Sequence, residues 1–128
     1  MTTLLAFNFS DARLAKLRFL CLRQGITVQA VNPADFGQPL GALCGLTDRS
    51  EEPAQGEAFS DEMLVMVNLT NQQANRFLTS LKQARFVPVR LKAMLTPTNA
   101  EWDCFRLHKE LCAERDALAQ HQTPVHHP

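Results

Sequence analysis

Apolar and polar positions along the chain alternate between two periods, and the same order occurs twice. Leu4-Leu5-Ala6-Phe7-Asn8-Phe9 is a short apolar run that stops at Ser10-Asp11, a helix N-cap signal. Leu14, Leu17 and Cys21 then recur at helical spacing, and Gly25 closes the helix. Ile26 to Val31 alternates and is rich in β-branched residues, so it reads as a strand that Asn32-Pro33 ends. A short helical turn is predicted around Leu40 to Leu43. The order restarts at Met63 to Leu69, an apolar strand followed by Thr70 and Gln73 in a capping-box pattern. Ala74, Phe77, Leu78 and Leu81 mark one face of the next helix. Val87 to Ala93 alternates as an edge strand, where Pro88 is tolerated because one side needs no donor. The longest helix is predicted from about residue 100 to 119. The four strands are thus expected near residues 3–9, 26–31, 63–69 and 87–93.

Laid without gaps at a spacing of about sixty residues, Leu4 falls on Leu64, Asn8 on Asn68, Ser10 on Thr70 and Ile26 on Phe86. Apolar strands match one another easily, but a matched Asn followed by a cap at both strand ends is harder to obtain by accident. Two β-α-β halves predict an α+β domain of the ferredoxin-like kind, a split β-α-β pair with an extra C-terminal helix, its first and third strands central and antiparallel. The alternative is a small doubly wound parallel sheet. Residues 1–119 then form a single domain, residues 47–62 an acidic, solvated linker within it, and residues 120–128 a tail without periodicity.

Composition narrows the function classes. Of the 128 residues 45% are hydrophobic and 20% charged, which is ordinary for a globular chain. Thirteen basic and thirteen acidic side chains cancel, so no global field draws the chain to nucleic acid or anionic lipid. No apolar run reaches the roughly 20 residues of a membrane span. The N-terminus lacks a signal-peptide pattern, so a cytoplasmic location with reduced cysteines is expected.

Lys92-Ala93-Met94-Leu95-Thr96-Pro97-Thr98-Asn99-Ala100-Glu101-Trp102 is the most distinctive stretch. It resembles a bacterial family of domains of unknown function marked by Lys-Ala-x-x-Thr-Pro-Thr-Asn-x-x-Trp, over roughly Met63 to Glu114. The resemblance implies a fold relative and carries no activity. Read physically, Thr98 with Glu101 forms a capping box, or Thr96 caps with Pro97 in the first turn. A helix stop-start signal accounts for every hydroxyl. The functional alternative is an anion site at the helix start, with Asn68, Thr70, Lys92, Thr96, Thr98 and Asn99 as polar donors and Trp102 as a stacking wall.

Cys104, His108 and Cys112 stand four residues apart and suggest a ligand ladder. The outer two are about 12 Å apart along a helix axis, while metal–sulfur bonds are about 2.3 Å. One ion cannot hold all three; a pair could bind with help from elsewhere, but the three sit in the middle of the apolar face, so they are expected in the core, and no metal or cofactor is predicted. The nucleophile elbow and the phosphate-cradling glycine loop are absent, which argues against an enzyme. A surplus apolar stripe on the first helix, Ala15, Phe19 and Leu22, must pack on the C-terminal helix or on another subunit. The expected function is therefore a non-catalytic module that binds a protein partner or its own copy. A small-anion-binding domain, a sensor or an enzyme, using the strand-to-helix turn at residues 92–102 is the alternative.

Overall fold

The computed structural model describes residues 2–122. Its elements are β1 (Thr3–Phe7), α1 (Asp11–Leu22), β2 (Thr27–Val31), a 3-10 turn (Pro33–Asp35), α2 (Leu40–Leu43), β3 (Met63–Val67), α3 (Asn71–Gln83), β4 (Leu91–Met94), a second 3-10 turn (Asn99–Glu101) and α4 (Cys104–Gln122). The expected tail lies outside the described residues from 123 onward, and α4 runs three residues past its predicted end.

Each half is punctuated by the same devices sixty residues apart. Asn8 (φ 64°) and Asn68 (φ 61°) are left-handed and stop β1 and β3 two residues short of the apolar runs. Asparagine tolerates this conformation better than most side chains. Ser10 Oγ accepts the Arg13 N–H at 3.3 Å, and Thr70 Oγ1 accepts the Gln73 N–H at 3.1 Å. Gln73 Oε1 accepts the Thr70 N–H in return at 2.8 Å, completing the predicted capping box. Both helices leave through left-handed residues, Gly25 (φ 71°) and Arg85 (φ 57°). The Ile26 N–H then reaches back to the Cys21 carbonyl at 3.0 Å, and the Phe86 N–H to the Leu81 carbonyl at 2.9 Å.

The sheet order is β2-β1-β3-β4. β1 and β3 are central and antiparallel, as expected, with Leu5 opposite Val65 at the middle of the register. These residues are equivalents in the sixty-residue repeat, so a pseudo-twofold axis passes between them. The ferredoxin-like expectation fails on the edges. Interlocked halves would pair β2 with β3 and β4 with β1, both antiparallel; here β2 pairs with β1 and β4 with β3, both parallel. The doubly wound alternative fails on the antiparallel central pair. The result is an α+β chain with a four-stranded mixed sheet in which each β-α-β unit closes on itself. All these arrangements that centre β1 and β3 bury the same residues, so hydrophobic pattern alone does not choose among them.

Two cores flank the sheet. On one face α1 and α3 cover Leu4, Ala6, Leu64 and Met66, with Leu17, Cys21 and Phe77 fully buried among them. On the other, α2 and α4 cover Leu5, Phe7, Met63 and Val65 through Leu40, Leu43, Cys104 and Leu107. Burying one such side chain is worth about 1.5–3 kcal/mol. The halves diverge after their helices. Thr3 pairs with Thr27, but Met63 pairs with Leu91, four residues further along its own half. The extra length holds Pro88, so β4 begins at Leu91 rather than at residue 87. With that shift α2 is the counterpart of α4, and the equivalents Pro39 and Asp103 face each other in an isolated bridge.

The acidic connector is anchored at several points. The Ala54 N–H donates to the Gly37 carbonyl at 3.0 Å, and Gly56 lies so close to Phe105 that a Cβ there would sit 2.4 Å from the ring. Gln38 and Ser50 exchange two hydrogen bonds, at 2.7 and 3.1 Å. Arg13 grips Glu62 with two contacts of 2.6 and 2.7 Å while its guanidinium lies over Phe86 at 4.2 Å.

Candidate functional site

Three regions were singled out by the sequence, and the structure treats them differently. The turn from Lys92 to Trp102 closes on itself. The Thr96 N–H donates to Asn99 Oδ1 at 2.8 Å, the Asn99 N–H donates to Thr96 Oγ1 at 3.1 Å, and Asn99 Nδ2 donates to the Met94 carbonyl at 3.0 Å. Asn99 is buried. Thr98 is exposed and makes no capping bond, so the expected Thr98–Glu101 box does not form. A 3-10 turn intervenes, and the cap of α4 is Asp103, whose Oδ1 accepts the Arg106 N–H at 2.9 Å.

Asn68 and Thr96 follow the ends of two parallel strands and share one end of the sheet. Thr70 is there too, engaged with Gln73. Lys92 is not part of this group. It pairs with Leu64 on the α1/α3 face, its Nζ donates back to the Val89 carbonyl, and burial lowers its pKa. Trp102 precedes α4, packs against the second core and carries the Arg106 guanidinium 4.3 Å from its ring. Its backbone carbonyl accepts the Leu40 N–H at 2.8 Å, so this tryptophan fastens α2 to the start of α4.

The ladder on α4 splits. Cys104 is fully buried in the second core, with its thiol pushed up to about 12 by desolvation. His108 and Cys112 are only half-buried, and a residue from the connector joins them. His108 Nε2 lies 2.8 Å from Asp61 Oδ2 and 3.5 Å from Cys112 Sγ, and the three donor atoms fall within 4.8 Å of one another. The arrangement is held from both sides. Asn8 Nδ2 donates to the Phe59 and Asp61 carbonyls at 2.9 and 3.0 Å. Phe59 is stacked between Phe36, at 4.7 Å, and the His108 imidazole, at 4.0 Å and 9°. Sequence reading placed Asp61 in a solvated linker; the one usable signal was Phe59, a large aromatic in an otherwise polar stretch.

The stripe on α1 does not meet α4, which lies on the opposite face of the sheet. Ala15 is exposed, Phe19 is 62% exposed and Leu22 is 77% exposed. They flank a shallow groove whose other wall is Ile26, Thr27 and Val28 at the β2 edge.

Fold and sites together define a small α+β module built on an internally repeated β-α-β unit. Residues 62–118 match the model of a family described as a domain of unknown function (DUF3783). That stretch is the second half, from the end of the connector into α4. No curated protein and no solved structure matches the chain. Among the described residues no helix is long and apolar enough to cross a membrane.

Proposed function

We propose that the protein is a cytoplasmic, non-catalytic association module that pairs with a second copy of itself through the β2 edge and the adjoining face of α1. The observation that carries this reading is the contrast between the two sheet edges. β4 carries Lys92 within it and is preceded by Pro88 and Arg90, residues that discourage strand addition. β2, Thr-Val-Gln-Ala-Val, has no charge and no proline, and Phe19 and Leu22 stand exposed beside it. Antiparallel pairing of two β2 strands would extend the sheet and cover both apolar side chains in one self-complementary contact.

Sedimentation velocity over a range of concentrations tests this. The expected result is a monomer–dimer equilibrium that Phe19→Asp or Thr27→Lys shifts to monomer while the melting temperature of the dilute protein is kept. A wild-type chain that stays monomeric at every concentration would overturn it.

A further inference from the structure

We infer that Asp61, His108 and Cys112 form a binding site for a single divalent transition-metal ion of the zinc type. His108 and Cys112 are four residues apart on α4, a spacing that brings two side chains to one helix face. Asp61 approaches from the connector and supplies the oxygen. Zinc bonds of about 2.0–2.1 Å to nitrogen and about 2.3 Å to sulfur, at tetrahedral angles, separate N from S by about 3.5 Å. Cys112 Sγ and His108 Nε2 stand at 3.5 Å. The same ion needs its nitrogen and oxygen about 3.3 Å apart. The 2.8 Å Asp61–His108 contact opens by rotation of an aspartate side chain that is 53% exposed.

Both neighbours of His108 Nε2 crowd that one nitrogen. A Cys-His-Asp proton relay would use the two ring nitrogens separately, so the geometry points to convergence on an ion. The ring is already fixed by its stack on Phe59, and the Asp61 backbone by Asn8, so little ordering remains to be done on binding. A nitrogen, a thiolate and a carboxylate suit zinc or cobalt rather than magnesium or calcium. Three protein donors leave the fourth position to water or to a donor from outside the chain.

The test is a cobalt titration of the reduced, chelator-treated full-length chain. The expected result is a thiolate-to-cobalt charge-transfer band that saturates at one ion per chain and is displaced by zinc. The tail histidines His121, His126 and His127 contribute no such band, because it requires a thiolate. Cys112→Ser should abolish the band and Cys44→Ser should keep it. Asp61→Asn, a change at an exposed position, should lower cobalt affinity at least about tenfold, since even outer-shell changes cost about 10–100-fold. A wild type without the band, or a band that persists in Cys112→Ser, would overturn the site. Unchanged affinity in Asp61→Asn would overturn its third donor.

Discussion

The first and second halves of the chain share a scaffold and differ in what they hang on it. From β1 to the end of α1, and from β3 to the end of α3, left-handed asparagine, hydroxyl cap and left-handed helix exit recur at matching positions. Beyond the second strand of each half the match loosens. The first half ends in the four-residue α2, and the second inserts four residues, loses a strand start to Pro88 and continues into the nineteen-residue α4. The cluster of metal-type donors found among the described residues lies at or beyond this divergence. His108 and Cys112 are on α4, and Asp61 is on the connector that the short α2 leaves room for. The repeated part supplies the central strands and the helices of one core, and the unrepeated part brings these three donors together.

The strongest way to break this correspondence is in the core. Leu17 and Phe77 are equivalents, both fully buried between a helix and the sheet. Phe77→Ala should cost about 3–5 kcal/mol and Leu17→Ala about 2–5 kcal/mol by urea denaturation. A cost near zero at either position would mean that the two halves do not share one cooperative core.

The helix exits sharpen it next. Nothing lies within 4 Å of a Cβ built on Gly25, so Gly25→Ala isolates the conformational cost of a left-handed residue, about 1–2 kcal/mol. Arg85 already bears that cost, and Arg85→Gly should raise the melting temperature. If both variants lower it, the exits are not equivalent.

The caps come third. Thr70→Ala should cost about 1 kcal/mol, and Ser10→Ala less. The threonine belongs to a reciprocal pair, whereas the serine makes a single bond of 3.3 Å. Equal melting-temperature losses would remove the distinction. Smallest is Asp61→Asn without metal: a side-chain contact with one partner half exposed should contribute less than about 1 kcal/mol. A larger loss would make the Asp61–His108 contact a structural tie in its own right.

Much of the scaffold is legible in the sequence. The Thr70–Gln73 box, the Ser10 cap, the Gly25 stop and the central placement of β1 and β3 are local or binary properties, and each follows from residue type and period. The start of α4 is not legible in the sequence because the Thr96-Pro97-Thr98-Asn99 turn contains two plausible caps, and Asn99 bonds back to Thr96 instead of opening the helix. The stripe of Ala15, Phe19 and Leu22 is legible in the sequence, but one of its two expected covers, the C-terminal helix, lies across the sheet. Lys92 is expected to project from the preceding strand toward the helix start, yet its register opposite Leu64 puts it on the α1/α3 side of the sheet.

What the sequence determined by itself is the set of elements, their caps and which strands lie inside, because these depend on neighbours within a few residues and on the period of burial. Only the tertiary structure decided which edge strand joins which central strand, since both pairings bury the same side chains and differ only in hydrogen-bond partners distant along the chain. It also decided that Asp61 meets His108 and Cys112. That meeting joins residues 47 positions apart. It depends on Asn8 and Phe59 holding the connector against α4, and no local pattern in the chain encodes such a contact.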